Sequence, residues 1–203
     1  MSENNNLIVG FVGKKGSGKS YAFKHRLARE RYVVLYDVRD EHGDVFPNRV
    51  TDFDDLEDLI RDHIEAKKPA LAARFIPQGS PKNSIDEFCE LIFGFRGLSI
   101  GFEEVPAYSG SGWMPEGFEQ ITLQGRHKRL NIFYTGQRFA ELPRSLTAQT
   151  DKFVLFATRE PRDLSELENR VGTETARIVS ELPRHEAVTY DAETGETYRG
   201  VVV

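Results

Sequence analysis

The 203-residue chain carries 27 Lys and Arg against 32 Asp and Glu, a formal net charge of -5, and 39% of its residues are hydrophobic. That balance excludes a protein coating nucleic acid with its whole surface, which needs basic charge everywhere, and leaves only local basic patches open. The single cysteine, Cys89, excludes an internal disulfide, and no apolar run approaches the roughly 20 residues that span a bilayer. The polar start MSENNN lacks a positive-then-apolar leader pattern, so the expectation is an intracellular protein of one domain, residues 1–203.

In chain order, the first apolar run is LIVGFV (7–12), followed by a glycine-rich turn and a helix predicted over 18–29. Gly13, Gly18, Lys19 and Ser20 satisfy G-x-x-x-x-G-K-[ST] in the required setting of strand, loop and helix. Glycines let successive backbone N–H groups turn inward as an anion nest, and the helix start adds its positive dipole end. Lys19 is expected to reach the β and γ phosphates of a nucleoside triphosphate, and the Ser20 hydroxyl to ligate Mg²⁺. The expected nucleotide-binding segment is therefore Gly13, Lys14, Lys15, Gly16, Ser17, Gly18, Lys19, Ser20 and the following Tyr21, with ATP and Mg²⁺ as cofactors.

A second strand (32–38) runs into DVRDEHGD, where Asp40, Glu41 or His42 can approach the nucleotide or a subunit boundary, without a catalytic role being assigned. Residues 37–65 hold eleven acidic residues against three arginines, and an acidic helix over 54–66 is expected with Asp52 or Thr51 as its cap. A strand (70–76) and a helix (84–95) follow, with Cys89 on the apolar side of that helix as a buried, inert thiol.

The next strand, 98–105, ends in the paired carboxylates Glu103 and Glu104. Two adjacent carboxylates repel unless a cation or a division of labour separates them. A phosphate-loop site needs such groups at a neighbouring strand end, so Glu103 is assigned to the Mg²⁺ shell and Glu104 to the base that activates water. Adjacent strand residues point to opposite faces, so both reach one site only if the strand unwinds there. A helix is predicted over 115–127. Before it, Trp113 and Met114 in GSGWMPEGF have two open roles, packing on the body or contacting DNA. The strand NIFYTG (131–136) places Gln137 where it can hydrogen-bond the attacking water or the γ phosphate. A strand (152–158), a helix (163–181) and two alternating runs flanking AETGE, read as a terminal hairpin over about 185–203, complete the chain. His25, His63, His127 and His185 have no metal-ligand spacing, and no zinc site is expected.

Short apolar runs alternating with amphipathic stretches predict an α/β fold, the three-layer sandwich of P-loop NTPases. Its sheet is mostly parallel, with helices on both faces and a C-terminal β-hairpin. From 123 to 145 there are five Lys or Arg against one Glu, a strip suited to gripping nucleic-acid phosphates or simply flanking a site. An arginine reaching into a neighbour's nucleotide is available from Arg126, Arg129, Arg138, Arg144, Arg159 and Arg162, which composition does not rank.

The stretches GKKGSGKSY, YDVRDEHGD, IGFEEVPAY, GRHKRLNIFYTGQRFAELPRSL, DKFVLFATREPRDL and VTYDAETGE together resemble the FtsK/HerA superfamily of ring-forming DNA-pumping ATPases. More narrowly, they are similar to the genome-packaging ATPases of tailless viruses with an internal membrane and a double-jelly-roll capsid. The resemblance implies an ATP-driven translocase packaging double-stranded DNA as a homo-oligomeric ring, at a capsid vertex or beside its membrane proteins. It further implies a place in the host cytoplasm and the virion, with Gln137 as sensor and Arg126 as the arginine finger acting in trans. Arg159 and Arg138 stand in reserve for that finger. The departure is Glu103, where the family commonly has aspartate. Two rivals stay open. A small-molecule P-loop kinase would need an arginine-rich lid, which is not visible, and a nucleotide-gated phage assembly protein would commonly carry a membrane span.

Overall fold

The structure is a computed structural model and describes residues 6–201; the polar start of the chain and the last two valines of the expected hairpin lie outside them. Seven of its strands are β1 (Ile8–Val12), β2 (Tyr32–Tyr36), β3 (Asn48–Val50), β4 (Leu71–Phe75), β5 (Ser99–Phe102), β6 (Asn131–Gly136) and β7 (Lys152–Phe156). Two more, β8 (Ala187–Asp191) and β9 (Thr197–Arg199), form the expected hairpin. The nine make one sheet in the order β3-β4-β2-β5-β6-β1-β7-β8-β9. β3 to β7 pair in parallel, and β8 and β9 add to β7 antiparallel.

The helices are α1 (Lys19–Leu27), α2 (Phe53–Glu65), α3 (Ile85–Phe93), α4 (Glu116–Gln124), α5 (Arg144–Ala148), α6 (Pro161–Val171) and α7 (Thr173–Glu181). Alternate strand residues serve opposite faces. Val9, Phe11, Val33, Leu35, Phe133 and Val154 pack with Phe23 and Leu27 of α1. Ile8, Val12, Val34, Tyr36, Ile132 and Phe153 pack on the other face, under apolar residues of α2 to α7. The sheet is thus buried on both sides, which is why its strands read as continuous apolar runs. No helix among the described residues is long and apolar enough to cross a membrane.

Besides strands that stop early, at Tyr36 and Phe156, three elements differ from the sequence reading for a local reason and two short ones were not anticipated. The strand expected over 98–105 stops at Phe102, because Glu104 takes a left-handed conformation (φ 50, ψ 55) and Val105–Ala107 form one 3-10 turn. The helix expected over 163–181 breaks at Gly172 (φ 86, ψ 158) into α6 and α7. The helix expected over 115–127 ends as α4 at Gln124 and continues as a 3-10 turn. The short β3 and α5 were not anticipated: two of the three residues of β3 are exposed, so no apolar run marks it. Asp52 does cap α2, accepting from the backbone N–H groups of Asp54 (2.9 Å) and Asp55 (3.4 Å). Cys89 is fully buried and its thiol is pushed well up by that burial.

Gly10, in the middle of β1, lies against the ring of Tyr134 in β6, whose hydroxyl pairs with Thr150 Oγ1 at 2.8 Å. A Cβ at residue 10 would fall 2.4 Å from that hydroxyl oxygen, so the ring must move and the buried hydrogen bond be lost. Gly10→Ala is expected to lower the unfolding free energy by about 2 kcal/mol in urea titrations.

Candidate functional site

The sheet order sets β2, β5, β6 and β1 side by side and parallel, so the loops leaving their carboxyl ends share one edge. Open α/β sheets bind ligands at that edge. Here it carries the glycine-rich loop after β1, the 37–42 turn after β2, Glu103 and Glu104 after β5, and Gln137 after β6. One cleft is lined by residues 14–21 together with Arg39, Glu41, Glu103, Glu104 and Gln137. Of the expected site residues, Lys14, Lys15, Gly16, Ser17, Gly18, Lys19, Ser20, Tyr21, Glu103, Glu104 and Gln137 meet there. Gly13 anchors the loop from behind, its N–H donating to Gly136 O (3.1 Å).

The loop is shaped as an anion cradle. Gly16 (φ 74) and Gly18 (φ 99) take left-handed conformations that a side chain would strain, and Gly18 leads directly into α1. Ser17 Oγ is buried and has no hydrogen-bond partner among the described residues, a donor left over for an incoming oxygen. The turn before β8 folds over this loop, since a Cβ at Gly16 would sit 3.5 Å from Arg184 Nη2 and one at Gly18 would sit 3.9 Å from His185 Nδ1. Tyr21 is largely exposed at the rim of the cleft, its ring against His25.

Lys19 is 6% exposed, and its Nζ lies 4.0 Å from Glu104 Oε2. Burial holds the ammonium below its ordinary pKa, against the upward pull of Glu104 and Glu103. Arg39 Nη2 approaches the same Glu104 oxygen at 3.6 Å, so this carboxylate sits between two cations. The left-handed turn at Glu104 lets both glutamates face the cleft despite their adjacency. It is braced by the Glu104 N–H donating to Thr135 Oγ1 (2.8 Å), a hydroxyl buried in β6.

Glu103 is held differently. It is buried, and its Oε1 lies 3.3 Å from His42 Nε2, while its Oε2 has no hydrogen-bond partner among the described residues. Asp37, His42 and Glu103 bring one ligand-type atom each to within 4.8 Å of one another. Burial raises the Glu103 carboxyl above the usual range, and the neighbouring carboxylates Glu103 and Asp37 raise His42 against its own burial. The cluster thus keeps a proton to higher pH than its separate groups would.

The structure leaves Arg126 out of this cleft. It lines a groove with Asn6, Ile8, Thr122, Leu123, Gln149 and Asp151, beside the amino ends of β1 and β7, at the opposite end of the sheet. Of the reserve arginines, Arg138 is engaged by Glu160 (2.5 Å), Asp163 (3.5 Å) and Glu141 (3.6 Å) of its own chain. Arg159 is exposed, just beyond β7. The sequence reading did not single out Arg39 or Arg184, whose proximity to the cleft depends on strand order rather than on spacing along the chain; of the three residues it named in the turn after β2, Glu41 lines the cleft, His42 backs Glu103, and Asp40 pairs with Arg49 and Arg74.

No family model and no curated protein matches this chain by sequence. Solved structures do match it in fold. The genome packaging NTPase B204 from Sulfolobus turreted icosahedral virus 2, in complex with AMPPCP, superposes with a TM-score of 0.77 at 17% identity, covering 99% of this chain and 100% of that one. B204 from Sulfolobus turreted icosahedral virus, a DNA-packaging ATPase, gives 0.73 at 18% identity with both chains fully covered. VirB4 of Thermoanaerobacter pseudethanolicus gives 0.64 at 9% identity, covering 100% of this chain and 91% of that one. The fold of this chain is that of these NTPases, end to end.

Lys19→Ala removes the only buried cation among the described residues that line the cleft. It is expected to weaken binding of a fluorescent ATP analogue roughly 10- to 100-fold, the worth of one charged hydrogen bond, with the thermal unfolding midpoint little changed.

Proposed function

We propose that the chain is a single P-loop ATPase domain, residues 1–203, which hydrolyses ATP to drive double-stranded DNA into a preformed viral capsid as a homo-oligomeric ring. The observation that carries the reading is the meeting of Lys19, Glu104 and Gln137 in one cleft, across strands that bring together residues far apart in the sequence. The end-to-end fold likeness to two viral packaging NTPases supports the choice of DNA packaging over a metabolite kinase. Work at the capsid vertex, in the host cytoplasm and the virion, belongs to the same proposal.

The residues present fit Mg²⁺. Ser20 offers a hydroxyl at the start of α1, and Glu103 offers a buried carboxylate oxygen without a hydrogen-bond partner, the hard oxygen donors this ion takes. When bound with the nucleotide, Mg²⁺ neutralises charge on the phosphates. The protein does the rest. The 13–18 backbone and Lys19 hold the phosphates, and phosphate binding competes with Glu104 for Lys19, leaving Arg39 as the remaining cation beside that carboxylate. Glu104 then accepts the proton of the attacking water, and Gln137 orients that water or reports the γ phosphate.

Arg126 lies beside the amino ends of β1 and β7, away from its own cleft, so the finger role proposed for it can be played only toward a neighbouring subunit. The basic residues of 123–145 are divided by β6, with Arg138 and Arg144 after it already paired with carboxylates, so sequence-independent contact with DNA phosphates is proposed for Lys128 and Arg129 before it.

Glu104→Gln keeps the shape and removes the base, so ATP binding is expected to persist while steady-state phosphate release falls about 10²- to 10⁴-fold. Undiminished turnover would remove Glu104 from the chemistry. Hydrolysis per subunit is expected to rise with protein concentration, and Arg126→Ala to abolish that rise together with about 10³-fold or more of the assembled rate. A rate per subunit independent of concentration would argue against a ring.

A further inference from the structure

We propose that His42 is a positioning residue for Glu103. It holds one carboxylate oxygen from behind, leaving the other free for the Mg²⁺ shell, and so lets a glutamate serve where a shorter aspartate would otherwise be required. The inference rests on the Mg²⁺–ATP reading of the cleft and deepens it.

The problem His42 addresses is geometric. A glutamate has one more rotatable bond than an aspartate, so its carboxylate samples more positions unless something fixes it. In this structure one oxygen, Oε1, lies 3.3 Å from His42 Nε2, with both side chains less than a tenth exposed; the two are in contact as an ion pair without the alignment of a hydrogen bond. The other oxygen, Oε2, is buried and has no hydrogen-bond partner among the described residues. A carboxylate with one side in contact and one side free is the arrangement a positioned metal-shell ligand needs. His42 itself is 3% exposed and sits behind Glu103, outside the residues that line the cleft.

His42 is fixed before it acts. Its backbone N–H donates to Asp37 Oδ2 (3.1 Å), and that of Glu41 donates to Asp37 Oδ1 (3.3 Å). Its carbonyl accepts from the N–H groups of Val45 (3.2 Å) and Phe46 (3.0 Å), and its ring stands edge-on to Phe23 at 6.1 Å. Asp37 is in turn tied to β4, through its N–H to Phe75 O (2.9 Å) and its carboxylate to Arg74 Nη1 (3.6 Å). The sheet brings the two loops together: β2 and β5 are parallel neighbours with Tyr36 opposite Phe102, and the Glu103 N–H donates to Tyr36 O (3.2 Å). The imidazole is therefore a preset stop for the glutamate, fixed by its own backbone bonds before the carboxylate meets it.

The test measures Mg²⁺ dependence of nucleotide binding, not turnover. The full chain is titrated with a fluorescent ATP analogue in EDTA and then over a Mg²⁺ series. H42A is expected to bind the metal-free analogue as the native chain does, while the Mg²⁺ concentration that half-tightens binding rises about tenfold or more, the usual cost of losing a ligand's outer support. His42→Gln, which restores a donor of similar reach, is expected to recover most of the loss. In a Glu103→Asp background, whose shorter side chain needs no stop, adding H42A is expected to change the Mg²⁺ midpoint by less than about twofold, so the two sites couple. Equal Mg²⁺ dependence in the native chain and H42A overturns the proposal, as does full additivity with Glu103→Asp. A loss of affinity equal with and without Mg²⁺ also overturns it, because that marks a general effect on the fold. Should H42A not fold, a His42→Gln variant as impaired as His42→Asn decides against it. A native chain that binds no ATP analogue at all fails the ATPase reading instead, a result distinct from each of these.

Discussion

The ammonium of Lys19 has to leave water for the cleft to exist. Desolvating such a group costs several kcal/mol, and a carboxylate at the 4.0 Å separating it from Glu104 restores about 4 kcal/mol at an effective dielectric of 20. Two opposing terms of similar size leave the group near balance, charged but poorly paired. That balance holds only while β5 ends where it does, beside β6 and one strand from β1. Under the proposed function, an incoming triphosphate, with several negative oxygens, offers Lys19 a better partner than one distant carboxylate. The cleft is thus poised for an anion by the same burial that makes it costly to build.

The two glutamates divide along the same lines. Glu104 is turned by a left-handed backbone into the path between Lys19 and Arg39, a strained conformation that persists because the Thr135 hydroxyl receives its N–H. Glu103 keeps its N–H on Tyr36 O, and its buried carboxylate lines the cleft with one oxygen against His42. One faces mobile cations that a substrate can replace. The other faces an imidazole fixed by its own backbone bonds. Adjacent residues of one type therefore enter different electrostatic environments within a single turn of chain, and this is how like charges next to each other take unlike roles.

The arginines separate by what already holds them. Arg138 follows Gln137 directly, yet three carboxylates of its own chain engage it, so it brackets the end of β6 against α6. Arg74 is committed to the Asp37 and Asp40 carboxylates and to the carbonyl of Phe46. Arg39 is half-exposed over the glutamate, and Arg184 stands over the glycine-rich loop. Charge counts along the chain could not sort these, since an arginine's partner is set by which loops share an edge.

The segment from Ile8 to Leu27 was legible in the sequence because its logic is local: strand, glycines, lysine, serine and helix are covalent neighbours, and their geometry follows from backbone conformations a few residues long. The core strands were legible for a related reason, since a sheet buried on both faces writes itself as apolar runs, and the hairpin because its turn residues are explicit. Local patterns failed where the deciding force was tertiary. β3 is too short and exposed to carry a pattern, and the helical periodicity across 163–181 hides the turn at Gly172. The paired glutamates were visible as a question, and their place at a strand end as a partial answer. What the sequence by itself determined was therefore the glycine-rich loop between β1 and α1 and the class of fold. Only the tertiary structure decided that Arg39 meets Glu104, that His42 backs Glu103 and that Arg126 faces away, because those distances are set by which parallel strands lie side by side, and strand order is fixed by packing of the whole sheet.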